Sequence, residues 1–106
     1  MANKKVVIKA VLAHPELAVE DLYIVGSLKN LGAWDASKAA KMTKTSENTF
    51  ELGKMMPEGE TVEYKILAAP SWDAVEKGQF HEDFPNHSFV VEKGLEVLTE
   101  VHYFGN

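Results

Sequence analysis

Apolar side chains gather in short runs at residues 5–13, 21–27, 49–55, 60–69, 86–91 and 95–104, each of strand length. Two runs alternate strictly. Val62, Tyr64 and Ile66 face away from Thr61, Glu63 and Lys65, and Val97, Thr99, Val101 and Tyr103 face away from Glu96, Leu98, Glu100 and His102. A period of two with polar residues at every other position describes strands with one dry and one wet face. Between the runs lie His14-Pro15-Glu16, Ser46-Glu47-Asn48, Pro57-Glu58-Gly59, Pro70-Ser71, Phe84-Pro85-Asn86 and Glu92-Lys93-Gly94, all turn-forming sequences. "PEGE" and "EKGLE" read as tight connections between antiparallel strands. Residues 35–40 alone suggest a helix, one or two turns long, with Asp35 as its N-cap. The pattern predicts an all-β fold, an antiparallel β-sandwich of six to eight strands with one short helical turn.

Two segments break this rhythm. "VGSLKNLGAWDASKA", residues 25–39, places bulky Trp34 inside a turn that otherwise uses Asn30, Gly32 and Asp35. "AAPSWDAVEKGQFHEDFPNHSF", residues 68–89, is long and polar yet carries Trp72, Phe80 and Phe84. Long aromatic-bearing loops on a small scaffold are where binding concentrates.

The chain has 106 residues, enough for one domain spanning 1–106 with a single core. Its formal charge of -5 comes with no arginine and no lysine cluster, which argues against nucleic acid and against anionic ligands that need guanidinium forks. No run approaches a membrane span. Without cysteine there is no disulfide frame or thiolate chemistry. The start reads as a first strand rather than a signal peptide, because Lys9 interrupts its apolar run, so a cytoplasmic protein or a fragment of a secreted multidomain enzyme is expected.

Candidate chemistry is narrow. "HEDFPNH" places His81, Glu82, Asp83 and His87 in one loop, but a solvated loop is the better reading than a metal site. No serine, histidine and acid form a triad, and the paired carboxylates fall in turns, so no catalytic residues, metal or cofactor are expected. What stands out is aromatic surface beside hydrogen-bonding groups: Trp34, Trp72, Lys65, Glu76 and Asn86. A pyranose ring stacks its C–H face on an indole and needs directional partners for its hydroxyl rim. For Trp34 a plug at one end of the core is the competing role.

"LYIVGSLKNLGAWDASKAAKM" followed by "PEGETVEYKI" resembles the starch-binding domain, carbohydrate-binding module family 20, over nearly the whole chain. The resemblance implies an immunoglobulin-like sandwich that binds α-glucans without catalysis, as a monomeric module linked to a catalytic domain. It assigns sugar binding to Trp34, Lys65 and Asn86. Where the family commonly reads V-E-W, this chain reads Val75-Glu76-Lys77, leaving Trp72 as the candidate second stacking surface. "PSWDAVEKG" is similar to a variant attached to esterases or phosphatases. The family's second site is expected to be lost, its tyrosine aligning near Ala18 and its tryptophan near Phe50. An accessory or protein-interaction domain without glycan binding is the alternative.

Overall fold

The computed structural model describes residues 2–17 and 19–105. Seven of its strands are four residues or longer: β1 (Asn3–Leu12), β2 (Tyr23–Gly26), β4 (Thr43–Ser46), β5 (Thr49–Pro57), β6 (Thr61–Leu67), β8 (His87–Val90) and β9 (Glu96–Val101). Three two-residue pieces join them: β3 (Ala40–Lys41), β7 (Glu76–Lys77) and β10 (Tyr103–Phe104). Two four-stranded sheets, ordered β4-β5-β1-β9 and β3-β2-β6-β8, form the sandwich, and β7 pairs with β10 beside them. The expected helical turn is a single 3-10 turn at Ala36–Lys38, and three other 3-10 segments occur among the described residues. Ala18, the expected position of a lost tyrosine, lies outside the described residues.

The inner faces supply one core. Val6, Ile8, Ala10 and Leu12 of β1 and Phe50 and Met56 of β5 meet Ile24 of β2 and Val62, Tyr64 and Ile66 of β6. Phe50, in the region of the family's second-site tryptophan, is fully buried there. The Tyr64 hydroxyl and the Thr99 hydroxyl hydrogen-bond at 2.5 Å between the sheets. Burial pushes the Tyr64 phenol above its ordinary pKa, partly offset by that hydrogen bond.

Turn chemistry at Pro57-Glu58-Gly59 and Glu92-Lys93-Gly94 is as expected, with Gly59 and Gly94 at φ +86° and +73°. The strands that these turns join are not sheet partners. β5 and β6 lie in different sheets, as do β8 and β9, so each turn is a corner between layers. A turn sequence sets local chain reversal but carries no information on which neighbour completes the hydrogen-bond ladder. The local hairpin is β4–β5, closed at Ser46 and Thr49. One pairing is parallel: β1 runs alongside β9 from Val7↔Glu96 to Leu12↔Val101.

Candidate functional site

The two strands at the centre of the β3-β2-β6-β8 sheet break the simple alternation. Ile24 and Val25 are both fully buried, and so are Ile66 and Leu67. One of each pair points into the core, so the other needs a cover on the outer face. That cover is a second apolar cluster of Val25, Ala36 and Leu67, with Tyr23, Trp34, Ala39 and Val75 packed against it. Its floor is the sheet and its roof is the two irregular loops.

The first loop shows how a turn accommodates an indole. Gly26 ends β2 where a Cβ would meet the Glu63 carbonyl at 2.7 Å. The chain then coils through Lys29–Trp34, and Gly32, Ala33 and Trp34 all take positive φ, at +85°, +47° and +67°. A Cβ on Gly32 would lie 2.8 Å from the Lys38 carbonyl, so both sterics and backbone angle demand glycine. Ala33 and Trp34 have no such freedom, and left-handed angles cost non-glycine residues about 1–3 kcal/mol each. Packing of the half-buried indole on Val25 and Leu67 offsets that cost. Asp35 locks the exit: its carboxylate accepts from the Ser37 N–H at 3.0 Å and the Ser37 hydroxyl at 2.7 Å. Those two hydrogen bonds hold its pKa below the ordinary carboxylate value.

The second loop leaves β6 and turns at Trp72–Ala74, where the Ser71 hydroxyl accepts from the Asp73 N–H at 3.2 Å. Trp72 remains 43% exposed, unusual for an indole. Its ring lies 6.4 Å from that of Trp34 with 25° between the planes. A sugar held between two aromatic faces needs van der Waals contact on both sides, about 7–8 Å in all. The pair is therefore not a clamp, and it presents a joined surface. That surface lines an open cleft of about 600 Å³ whose polar edge is Asp35, Ser37, Ser71 and Asp73.

Lys65 and Asn86 lie farther along the same face, outside the cleft. Lys65 sits opposite Val25 on the neighbouring strand, and Glu63, Lys65 and Leu67 follow each other outward on β6 at about 6.5–7 Å per step. The segment ahead of β8 runs back over this row. The Lys65 ammonium donates to the Phe84 carbonyl, and the Asn86 amide donates to the Glu63 carboxylate at 3.2 Å.

Glu76 stands apart from these four. Its side chain is 2% exposed, with one carboxylate oxygen accepting from the Ile66 N–H at 2.9 Å and bonded to His87 Nε2 at 2.7 Å. Both contacts fall on Oε1. Glu76 anchors the 75–77 segment to β6 and β8 and does not line the cleft. Sequence does not single out Asp35, Ser37, Ser71 and Asp73, because short polar residues in turns look alike whether they face solvent or a cleft, and Glu63 reads as one more polar position on the wet face of its strand. Paired buried residues on β2 and β6 were the available signal, since they demand an outer covering layer.

The histidine loop does not converge. Asp83 binds Lys77 at 2.6 Å, a hydrogen bond that lowers its pKa. The Glu82 carboxylate accepts from the Phe80 N–H, His87 joins Glu76, and His81 stacks on Tyr103 at 3.9 Å.

Residues 5–101 match the family model described as "Starch binding domain". An amylopullulanase of Thermoanaerobacterium thermosulfurigenes is 34% identical over 87 residues, covering 80% of this chain. An amylopullulanase of Thermoanaerobacter thermohydrosulfuricus is 40% identical over 53 residues, covering 50% of it. The matched segment is 4% of the length of each of these curated relatives. Among solved structures, the family 20 module of the maltotetraose-forming amylase of Pseudomonas saccharophila STB07 superposes with a TM-score of 0.66 at 22% identity, covering 91% of this chain and 98% of that one. The family 15 glucoamylase of Hypocrea jecorina gives 0.69 at 17% identity, covering 100% of this chain and 18% of that one.

Proposed function

This chain belongs to the starch-binding domain family, and from that membership we propose that the Trp34–Trp72 cleft binds the face of an α-glucan. It is a carbohydrate-binding module, and the family's modules are non-catalytic. The observation that carries the reading is the pair of near-parallel indoles lining an open cleft with a polar edge. Neighbouring glucose units of one chain rest their C–H faces on the joined surface. Asp35, Ser37, Ser71 and Asp73 serve the hydroxyls within the cleft, and Lys65 and Asn86 serve a unit farther along β6. Glu76 positions the loop without touching sugar.

The absence of arginine and the short polar edge suit a neutral ligand. Two stacking faces contribute on the order of 1 kcal/mol each beyond area burial, so Kd is expected at about 0.1–1 mM. An affinity this weak is useful through multivalency, by holding a tethered catalytic domain on a polymer. The amylopullulanases are far longer than this chain, which supports a linked amylolytic partner.

A specific observation favours the accessory reading as a competitor. Lys77 stands where the family pattern has its second tryptophan, and the Lys65 ammonium is already engaged by the Phe84 carbonyl. Titration with maltoheptaose, followed by tryptophan fluorescence and amide shifts, separates the two. Saturable changes at Trp34, Trp72 and Lys65 are the expected result. No change at about 10 mM sugar, well above the expected Kd, would leave the accessory reading in place.

A further inference from the structure

Trp72 borders two hollows. One is the cleft it shares with Trp34, and the other is a cavity of about 400 Å³ whose lining includes Trp72, Asp73, Lys77, His81, Phe104 and Gly105. Asp73 lines both as well, so the Trp72–Ala74 turn is a wall common to the two. The second cavity joins segments far apart in the chain. β7 pairs with β10 through Tyr103↔Lys77 and Phe104↔Glu76, and the Gly105 N–H donates to the Val75 carbonyl at 2.7 Å. A Cβ on residue 105 would lie 2.7 Å from the Asp73 carbonyl oxygen, so glycine lets the chain close against the Trp72 turn.

His81 is fixed in the lining by the turn that carries it. Its N–H donates to the Gly78 carbonyl at 3.0 Å, the Gly78 N–H donates to the Glu82 carbonyl at 2.9 Å, and the Glu82 carboxylate accepts from the Phe80 N–H at 2.8 Å. These bonds hold His81 at φ +61°, a left-handed angle uncommon for a residue with a Cβ, with its ring stacked on Tyr103 at 3.9 Å. Lys77 donates to Asp83 at 2.6 Å, which uses one of three ammonium protons and leaves two. Asp73 is exposed. The cavity therefore repeats the chemistry of the first cleft, flat aromatic surface beside hydrogen-bond donors and acceptors. Its charges, Lys77 and Asp73, are of opposite sign, which suits a neutral hydroxyl rim better than an anion. Its volume falls within the range of small-ligand sites, about 300–1,000 Å³.

We infer that this cavity is a further subsite for the same α-glucan. A chain too long for the Trp34–Trp72 cleft continues past Trp72, rests its next unit against Trp72 and His81, and gives its hydroxyls to Lys77 and Asp73. The inference rests on the glycan reading of the first cleft. The family pattern has a tryptophan where Lys77 stands, so this subsite belongs to the residues of this chain and not to the pattern.

The test is a titration with maltotriose and with maltoheptaose, read by amide shifts and calorimetry, on the parent, His81→Gly and Lys77→Met. Glycine accepts the backbone angle of residue 81 and removes only the ring, and methionine keeps most of the lysine stem without its charge. Both sugars should shift Trp34 and Trp72, and maltoheptaose alone should also shift Lys77, His81 and Gly105. Each variant should weaken maltoheptaose about 3–5-fold and leave maltotriose within about 2-fold of the parent. The extra binding registers open to a longer sugar are the same in parent and variant, so they cancel. A variant that fails to fold is set aside, and the parent's shifts at Lys77, His81 and Gly105 still decide. The subsite is overturned, with the first cleft intact, if maltoheptaose shifts Trp34 and Trp72 without Lys77 and His81, or if a folded variant binds it as tightly as the parent. If neither sugar shifts Trp34 or Trp72, the glycan reading falls and the subsite with it.

Discussion

The outer faces of the two sheets differ in what they ask of the rest of the chain. On the β4-β5-β1-β9 sheet, Lys9 lies between Glu51 and Leu98 on neighbouring strands and pairs with Glu96 at 3.0 Å. Leu98 is 72% exposed there. That face is finished by solvent. On the β3-β2-β6-β8 sheet, Val25 and Leu67 are fully buried on the corresponding side and require a roof. The loops that supply the roof bring Trp34 and Trp72 together. The Trp34–Trp72 cleft is thus a consequence of where the outer face is apolar, and the wet face of the same sandwich has nothing to recruit a loop.

This comparison can be broken most directly at the floor of the cluster. Leu67→Ala should destabilise the domain by about 2–4 kcal/mol in urea unfolding, as for other fully buried leucines, and should loosen the Trp34 loop. Leu98→Ala on the opposite face should change stability by less than about 0.5 kcal/mol. Equal effects would mean that the two faces are energetically alike.

Trp34→Ala comes next, with an expected loss of about 2 kcal/mol of stability for a half-buried indole and at least ~10-fold in malto-oligosaccharide affinity. Trp72→Ala should lower affinity by about 5-fold with under ~1 kcal/mol of stability lost, because that ring is more exposed. If Trp34→Ala unfolds the domain outright, the indole is a plug first and a ligand surface second.

The smallest expected effect is electrostatic. Asp35 has its pKa lowered in the folded state by the Ser37 hydrogen bonds. A carboxylate with a depressed folded pKa contributes stability above its unfolded pKa, near 3.9, and loses it as pH falls through the folded value. Stability should therefore decline below about pH 4, and Asp35→Asn should flatten part of that decline in acid unfolding curves. Asp83, lowered by Lys77, acts in the same direction from the other loop. An Asp35→Asn curve with the parent's full acid slope would remove the cap from this account.

Much of the fold was legible because each long strand carries its own period. Residues 60–69 show it most clearly, since Val62, Tyr64 and Ile66 are buried where the alternation placed them. β4 gave no such signal: Thr43 to Ser46 are all exposed on an edge strand, so nothing apolar marks them. β7 was hidden because its partner, β10, is 26 to 28 positions away, from Tyr103↔Lys77 and Phe104↔Glu76. In the site, Trp34 and Trp72 stood out by residue type in a turn context. The burial of Glu76 did not, because a glutamate reads as solvated until His87 and the Ile66 N–H are seen to surround it.

Residue order alone determined the long strand runs and the positions of the turns, because each depends on atoms within a few bonds of one another. Tertiary structure decided which sheet each strand joined, that β1 and β9 run parallel, and that two tryptophans meet across a long stretch of chain. Those juxtapositions depend on closing the sandwich, and no local pattern encodes the partner that closure brings.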